Sequence, residues 1–358
     1  MNPSRHLPES IPTPALVLDV DALQANLRGM QAWADEHGIA LRPHAKTHKS
    51  PWVAARQVAL GAVGICVTKL GEAEVMVHAG IRDVLITCPV PRAKVERLLD
   101  LAQLGDLTVV VDDPDAVAHL AEACARRGLV LPILVDVDVG QGRTGVRGTV
   151  RARELAERCA SSPALRFRGV QGYGGHLQHV RDRAARAAAA SAVHARLREV
   201  VGDLRAHGLP VEVVSGDGTG TRPFAPRSDV VTEVQPGSYA VMDQHYSSVE
   251  GLDHLPALHV LTQVVSRPEP GMAVVDAGWK AVSTEDGVPG VTDSPGATFE
   301  IAGDEHGIVR SPDGPIDQFV WLIPSHCDTT VNLYDVYHLV SGGRPIGTLP
   351  VAARGAVT

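Results

Sequence analysis

The feature that most constrains the fold is a series of short apolar, β-branched segments that recurs through the first two-thirds of the chain. Helical patterns separate eight such segments: Ile39–Arg42, Ala62–Val67, Val84–Thr87, Leu107–Val111, Leu131–Val137, Phe167–Tyr173, Val211–Val214 and Val230–Val234. Strands buried on both faces have this near-continuous apolar character. Eight of them alternating with helices predict an α/β fold with a parallel (β/α)8 barrel, and an open doubly wound sheet is the alternative.

The chain beyond about Ser247 has a different pattern, in which short β-type segments alternate with Gly/Pro-rich turns. These segments are His259–Val265, Ala273–Asp276, Gln318–Ile323 and Val336–Val340. A chain of 358 residues exceeds a barrel of ~250 residues and leaves ~100 for a smaller domain. We therefore predict a barrel over residues 20–250 and a mostly β domain over residues 251–358, joined by residues 1–19 with the strand Ala15–Leu18.

Capping patterns within the barrel region predict where helices begin. Ser50-Pro51 and Asp113-Pro114 each place a capping residue before a proline at the first helical position. We interpret the Ala/Arg-rich stretch Arg181–Arg198 as a helix with a solvated, charged face.

Charge, the N-terminal segment and cysteine content exclude several function classes. A formal net charge of -8 leaves no basic footprint for nucleic acid. Met1–Pro14 has no apolar stretch long enough for a signal peptide or a membrane span. Five widely spaced cysteines argue against a disulfide framework and for a reducing compartment. We expect a cytoplasmic protein that acts on a small molecule, with no nucleic-acid and no membrane partner.

The first candidate for chemistry is the basic segment Arg42-Pro43-His44-Ala45-Lys46-Thr47-His48-Lys49, which follows the first barrel strand. Active residues of barrels lie at the carboxyl ends of strands. A lysine there, flanked by a second cation, can act as a Schiff-base nucleophile. The lysines of the chain are few: Lys46, Lys49, Lys69, Lys94 and Lys280. A solvated basic loop is the alternative interpretation.

Glycine-rich turns after later strands suit an anionic ligand. Gly216-Asp217-Gly218-Thr219-Gly220 offers backbone N–H groups and a hydroxyl to a phosphate, and Gln235-Pro236-Gly237-Ser238-Tyr239 can complete the cup. Arg143, held within Gly140–Gly145, can bind a flat anionic ligand through a charge-assisted hydrogen bond. Ordinary surface turns are the alternative for these segments.

Two histidine-containing loops complete the candidates. Gln171–His179 places a tyrosine and two histidines at a strand end, where they can serve as acid or base. In the second domain, His326 and Asp328 of Pro324-Ser325-His326-Cys327-Asp328 can bind one metal ion. The intervening Cys327 would face the other way in an extended backbone. A structural loop histidine is the alternative for each loop.

Taken in order, these segments resemble the D-threonine aldolase and D-serine dehydratase family of pyridoxal-phosphate (PLP) enzymes. The resemblance runs from Thr13-Pro14-Ala15-Leu16-Val17-Leu18-Asp19 to the C-terminus. It implies the alanine racemase-like fold (fold type III), in which a PLP-binding TIM-like barrel precedes a mostly β C-terminal domain that carries the metal site. It also implies a homodimer in which the second domain of one subunit helps to close the site of the other.

The resemblance assigns roles to residues that match the family's motifs. Lys46 resembles the lysine that carries PLP, and Arg143 the arginine at the cofactor's phenolic oxygen. Gln171 and Tyr173 resemble residues beside the cofactor ring. The residues that resemble the phosphate cup are Gly218, Thr219, Gly237, Ser238 and Tyr239.

His179 is similar to the residue proposed as the base for the substrate hydroxyl, and His326 and Asp328 resemble the metal ligands. A carboxylate is a hard oxygen ligand, so we expect a divalent metal, manganese first, with magnesium or zinc as alternatives.

Three positions depart from the family pattern. Asp217 replaces the middle glycine of the common Gly-Gly-Gly-Thr-Gly turn, Gly174 stands where histidine is frequent, and Thr329 stands where proline is usual. A carboxylate beside a phosphate would repel it, so Asp217 should point away or find a cation.

The resemblance implies an aldolase that cleaves a β-hydroxy D-amino acid to glycine and an aldehyde. D-threonine, D-phenylserine-like compounds and D-3-hydroxyaspartate are all candidate substrates. A D-serine or D-3-hydroxyaspartate dehydratase is the nearest alternative; a His-x-Cys pair, with a soft thiolate suited to zinc, would favour it. Two further alternatives are a non-catalytic PLP carrier and a barrel metallohydrolase using His44, His48, His176, His179 and Asp276.

Overall fold

A computed structural model describes residues 10–292, 294–312 and 314–358. These residues form two compact units. One comprises Met30–Lys46, Ser50–Gly237 and Ala356–Thr358; the other comprises Thr47–Lys49, Ser238–Gly355 and the described residues up to Gly29. The expectations for residues 1–9 lie outside the described residues.

The described chain begins with strand β1 (Ala15–Asp19) and helix α1 (Val20–His37). The Asp19 carboxylate accepts hydrogen bonds from the backbone N–H groups of Asp21 and Ala22, both at 3.0 Å. Since the first N–H groups of a helix have no partner within the helix, this contact explains why α1 begins directly after β1.

The first unit is built on an eight-stranded parallel sheet. Its strands are β2 (Ala40–Leu41), β3 (Ile65–Val67), β4 (Asp83–Ile86), β5 (Asp106–Val111), β6 (Leu131–Asp136), β7 (Leu165–Gly172), β8 (Val213–Gly216) and β9 (Glu233–Val234). They lie in the order β2-β9-β8-β7-β6-β5-β4-β3. A parallel bridge between His44 and Cys66, with a hydrogen bond from Ala45 N to Cys66 O, links the segment after β2 to β3. The sheet therefore closes, which confirms the predicted barrel over the open sheet.

Six helices connect the barrel strands: α2 (Pro51–Leu60), α3 (Leu70–His78), α4 (Val95–Leu101), α5 (Pro114–Arg127), α6 (Thr149–Ser161) and α7 (Arg183–Ala206). Both predicted proline starts are confirmed, at α2 and α5. The Asp113 carboxylate accepts hydrogen bonds from Asp115 N and Ala116 N at 2.9 Å, as an N-cap does.

Helix α7 has the predicted solvated face, on which Arg183, Arg196 and Arg198 are exposed, but it also has a buried face that contains charged or polar residues. Arg186 and His194 are buried, at 0 % and 3 % exposure. They lie on the same helical face as the buried Ala190 and Leu197, since residues three or four apart are neighbours on a helix. Arg186 is buried because carbonyl groups accept its hydrogen bonds; its Nε donates to Gly220 O at 2.9 Å.

The second unit is mostly β. Its further strands are β10 (Leu258–Ser266), β11 (Met272–Val275), β12 (Gly290–Val291), β13 (Thr298–Ile301), β14 (Gly307–Arg310), β15 (Phe319–Ile323), β16 (Val336–Ser341) and β17 (Arg344–Pro350), and its helices are α8 (Gln244–Ser247) and α9 (Cys327–Val331). The main sheet has the order β13-β14-β11-β10-β1-β16-β17, and β15 pairs with β10 and β12. Strand β1 is thus central, antiparallel to β10 and parallel to β16. Its Val17 packs in a buried cluster with Leu261, Trp321 and Val340.

Two further expectations can be compared with the structure. All five cysteines, each within the described residues, are free. None of the helices in the described part of the chain has the length and apolar character needed to cross a membrane.

Candidate cofactor and metal sites

The barrel places most of the predicted cofactor residues after the carboxyl ends of its strands. Lys46 follows β2, Arg143 follows β6, Tyr173 follows β7, Gly218 and Thr219 follow β8, and Gly237 follows β9. Because all eight strands are parallel, these residues share one end of the barrel, where barrels build their active sites.

The segment that carries Lys46 is tied to the barrel through His44. Lys46 N donates to His44 Nδ1 at 3.4 Å, and His44 Nε2 lies 3.1 Å from Thr87 Oγ1. Thr87 Oγ1 donates in turn to Val67 O at 3.1 Å. These directions make Nδ1 the acceptor and Nε2 the donor of the ring. His44 and Thr87 thus position the half-buried Lys46. Thr87 had only a weak sequence signal, a hydroxyl directly after a buried strand.

The other lysine of the same segment has a different environment. Lys49 belongs to the second unit, where it is buried and its Nζ lies 3.5 Å from Ala353 O. Lys69 follows the barrel strand β3 but is exposed. Burial and loop position therefore separate Lys46 from these two alternatives.

The turn after β8 is buried and tightly packed. A Cβ at Gly218 would lie 2.6 Å from Gln178 Oε1 and 3.1 Å from Tyr173 Cε2, so any side chain there would displace the Gln178 amide. Gly218 N donates to Thr221 Oγ1 at 3.0 Å, and Gly220 N donates to Gln178 Oε1 at 2.9 Å. Thr219 is 1 % exposed. The turn therefore has a fixed backbone, and a side chain at Gly218 would meet the Tyr173 ring.

Asp217, the departure from the family's glycine, pairs with a side chain of α7. Its Oδ2 lies 2.8 Å from His194 Nε2, and both side chains are 4 % exposed. The Asp217 carboxylate thus has a buried imidazole as its partner, and the expectation that it points away from a phosphate or finds a cation stays a prediction. His194 was missed in the sequence, although its spacing from apolar residues of α7 places it on the inward face.

Gln171, expected beside the cofactor ring, has an amide group that lies within a buried polar network. Its Nε2 donates to Asp136 Oδ1 at 2.9 Å and to Thr87 O at 3.1 Å, and its Oε1 accepts from Gln235 at 3.1 Å. Burial raises the pKa of the Asp136 carboxyl, against the effect of its hydrogen bonds from Gln171 and Thr144. The amide of Gln171 therefore orients its protein neighbours.

Arg143 is exposed, on a loop with an organised backbone. Asp138 Oδ1 accepts from Gly140 N at 2.9 Å and from Gly142 N at 3.0 Å, and Asp112 Oδ2 accepts from Gly145 N at 2.9 Å. These two carboxylates fix the backbone of the loop on both sides of Arg143.

Tyr173 and His179 are half-buried, while the second histidine of their loop, His176, is exposed. A short 3₁₀ helix over Gly175–Leu177 shapes this loop. The phenol and the imidazole of the half-buried pair are groups that can exchange protons with a small ligand.

Taken together, the donor groups of the barrel fit PLP. Lys46 could supply an amine for the aldehyde group of PLP, and Arg143 could supply a cation for its phenolic oxygen. Gly218 and Thr219 supply a buried turn for the phosphate.

Two of the expected phosphate residues, Ser238 and Tyr239, belong to the second unit, at the start of its longest segment. Both are buried, within the 3₁₀ helix Ser238–Ala240.

The predicted metal ligands lie in the second unit. His326 Nε2 is 3.8 Å from Asp328 Oδ1. The other ring nitrogen, Nδ1, lies 3.0 Å from Asp243 Oδ2, and Asp243 is fully buried. Metal-binding histidines commonly donate their second N–H to such a carboxylate, which fixes the ring. Asp243 was missed in the sequence; its only signal is its position as N-cap of α8.

From the sequence we considered an extended backbone around the metal ligands. The structure instead has a helix, α9, that begins directly after His326. Cys327 nevertheless turns away from the pair. It is 0 % exposed and its Sγ lies 3.0 Å from Met242 O. Burial raises the pKa of the Cys327 thiol, so a thiolate ligand is disfavoured at this position.

Oxygen-rich side chains surround His326. Ligand atoms of Glu285, Asp286 and His326 all lie within 4.8 Å of one another. Thr329, at the position where the family usually has proline, donates to Glu285 Oε1 at 3.1 Å. Imidazole with several carboxylates fits a hard or borderline divalent cation such as manganese.

Asp276, a ligand in the metallohydrolase alternative, has a structural role instead. Its carboxylate accepts from Thr13 Oγ1 and Thr262 Oγ1 at 2.6 Å and from Gln263 N at 2.9 Å. Three such donors hold the carboxylate within the second unit, which argues against that alternative.

Comparisons with known proteins cover both units. The family model described as "Alanine racemase, N-terminal domain" matches residues 18–245, and the one described as "Putative serine dehydratase domain" matches residues 257–340. D-threonine aldolase of Arthrobacter sp is 41% identical in an alignment 359 positions long, which covers 96% of this chain and 93% of that protein. 3-hydroxy-D-aspartate aldolase of Paracoccus denitrificans is 40% identical in an alignment 358 positions long, which covers 96% of this chain and 92% of that protein.

The fold is also similar to that of a relative whose structure has been solved. The crystal structure of D-threonine aldolase from Filomicrobium marinum superposes with a TM-score of 0.94 at 41% identity, covering 97% of this chain and 96% of that one. Sequence, domain order and fold agree, and the chain therefore belongs to the D-threonine aldolase and D-serine dehydratase family of PLP enzymes with the alanine racemase-like fold.

Proposed function

We propose that the chain is a PLP- and divalent-metal-dependent lyase that cleaves the Cα–Cβ bond of a β-hydroxy D-amino acid such as D-threonine. One observation favours an aldolase over a dehydratase. His326 Nε2 and Asp328 Oδ1 lie 3.8 Å apart, while the Cys327 thiol faces Met242 O. An imidazole and a carboxylate suit manganese or magnesium, whereas the dehydratase alternative was tied to an imidazole and a thiolate.

In the barrel, the residues bind and orient the cofactor. The Lys46 amine would hold the cofactor through its aldehyde carbon, and His44 positions the backbone of Lys46. Gly218 and Thr219 would hold the phosphate, and Arg143 would donate to the phenolic oxygen. When bound, PLP withdraws electrons from the bond that breaks.

In the second unit, His326 and Asp328 would hold the cation, and the Asp243 carboxylate keeps the His326 ring in one orientation. When bound, the cation lowers the pKa of a hydroxyl group that it contacts. We assign the removal of the β-hydroxyl proton to His179. The hydroxyl carbon becomes the aldehyde carbonyl, and Cα takes up a proton, so that glycine leaves.

The test is a product assay on D-threonine with added manganese. We expect equal amounts of glycine and acetaldehyde. Formation of 2-oxobutanoate and ammonia instead would establish the dehydratase alternative. The same assay on D-3-hydroxyaspartate, where an aldolase yields glycine and glyoxylate, compares the two substrate classes through kcat/KM.

Chelation tests the assigned metal ligands separately. Removal of the divalent cation should abolish aldol cleavage and leave the visible absorbance of PLP on Lys46, because cofactor attachment needs no metal. Asp328→Cys should shift the metal preference from manganese toward zinc, since thiolate is the softer ligand. Full-rate cleavage by the chelated enzyme would exclude a catalytic metal.

A further inference from the structure

We propose that the buried pair of Asp217 and His194 is a positioning device, which holds the turn Gly216–Gly220 in the geometry that binds the cofactor's phosphate. The pair lies inside the barrel unit and contains none of the residues assigned to the reaction. The proposal rests on the proposed PLP function.

The backbone of the turn indicates why the pair is needed. Asp217 has a φ of +51°, in the left-handed region that disfavours side chains other than glycine and is tolerated by Asp and Asn. A glycine at this position, as is common in the family, would adopt that conformation without strain but also without restraint. Asp217 has some backbone strain in this conformation, but its carboxylate forms a buried hydrogen bond with His194 at 2.8 Å.

Helix α7 holds the turn at both ends. His194 contacts Asp217 at the start of the turn, and Arg186 Nε donates to Gly220 O at its end, at 2.9 Å. Positions 186 and 194 are separated by about two helical turns, or ~12 Å along the axis, and therefore face the same side of the helix. A 24-residue helix is a rigid support for two such contacts.

Two further contacts restrain the same backbone from other elements. Gln235 N, after β9, donates to Asp217 O at 2.9 Å, and Gln178 Oε1 accepts from Gly220 N at 2.9 Å. A turn held in this way is ordered before a ligand arrives, and a preorganised site binds more tightly because less conformational entropy is lost on binding. The hydrogen bond between the side chains of Asp217 and His194 contributes to this order.

The test compares PLP with pyridoxal, which lacks the phosphate, in the full-length enzyme stripped of cofactor. Asp217→Gly keeps the backbone conformation and removes the partner of His194. It should weaken PLP binding about tenfold, the size of one buried hydrogen bond. Pyridoxal binding should be unchanged. The ³¹P resonance of bound PLP should shift or broaden, since the phosphate contacts become less uniform.

Asp217→Asn is the matched control. Asparagine tolerates the left-handed region and retains an acceptor for His194, so its PLP affinity and ³¹P resonance should stay close to those of the unaltered enzyme. The double variant Asp217→Gly with His194→Leu removes both partners and should bind PLP no more weakly than Asp217→Gly alone, because coupled residues are not additive.

The outcomes separate this proposal from the proposed function. If the unaltered enzyme does not attach PLP to Lys46 in a form that borohydride reduces, both fail. If it does, but Asp217→Gly binds PLP like the unaltered enzyme, only the positioning role is overturned. An equal loss of pyridoxal and PLP affinity would also overturn it, because the pair would then stabilise the barrel rather than the phosphate turn.

Discussion

Lys46 and Lys49 come from one basic segment, yet the fold gives their amines different surroundings. Lys46 belongs to the barrel unit, and the imidazole of His44 holds its backbone. Lys49 belongs to the second unit and has a φ of +49°. Its Nζ points to the carbonyl of Ala353. A Schiff-base lysine must present its amine to a ligand, so we expect Lys46 rather than the buried Lys49 to carry PLP.

Lys46→Ala should abolish both cofactor attachment and turnover. The purified variant should lack the visible band that borohydride removes from the unaltered enzyme, and reduced peptides should carry no pyridoxyl group. Lys69→Ala is the control, since Lys69 also follows a barrel strand but is exposed; it should retain the band. If Lys49→Ala loses the band and Lys46→Ala keeps it, the assignment of the cofactor lysine is wrong.

At the scale of elements, a bulge in β7 controls which side chains enter the barrel interior. The register with β6 shifts where Ile133 pairs with Phe167 and Leu134 pairs with Gly169, so Arg168 is the extra residue. Because side chains alternate along a strand, one extra residue reverses the faces of everything that follows. The bulge thereby places Gln171 in its network with Asp136.

Gly169→Ala should therefore destabilise the fold strongly. Gly169 has a φ of +144°, and a Cβ there would overlap the carbonyl oxygen of Val213 in β8. Strain plus overlap should cost about 3 kcal/mol of the free energy of unfolding.

Gly128→Ala is the matched control for the loss at Gly169. Gly128 also has a positive φ, +64°, but nothing lies within 4 Å of an added Cβ. Its loss should be about 1 kcal/mol. Urea unfolding followed by circular dichroism measures both, and equal losses would contradict the proposed clash with β8.

At the scale of the whole molecule, a buried histidine in the nine-stranded sheet links stability to pH. His259 of β10 is 5 % exposed and packs edge-on against Trp321, with ring centroids 5.9 Å apart. Burial lowers its pKa to about 4 from 6.5. The unfolded chain therefore binds a proton between these values that the folded chain does not.

It follows that the free energy of unfolding should fall as the pH drops from about 6.5 to about 4. The share due to His259 is about 3 kcal/mol in full. His259→Phe keeps an aromatic ring against Trp321 and removes the titrating group. Between pH 6.5 and 4, the free energy of unfolding of this variant should therefore fall by about 3 kcal/mol less than that of the unaltered protein. Urea midpoints measured at several pH values give the comparison, and parallel curves for the two proteins would refute the role of His259.

Much of the molecule follows from local sequence patterns. Apolar segments of the barrel strands and proline starts such as Asp113-Pro114 predict the closed barrel, because strand burial and helix capping are local properties. The ordered motifs around Lys46 and Arg143, and the His326/Asp328 pair, identify the family. Short strands such as β12 and β14 could not be predicted, since a few residues among glycines and prolines carry too little periodicity.

What the amino-acid sequence determined by itself is the type of most elements and the reactive groups available: few lysines, a glycine turn, and an aspartate rather than a cysteine two positions after His326. The tertiary structure alone decided how buried each lysine is, that His194 in an Ala/Arg-rich helix pairs with Asp217, and that the Cys327 thiol turns to Met242. Burial and hydrogen-bond partners depend on residues distant in the chain, and only the packed fold brings those residues together.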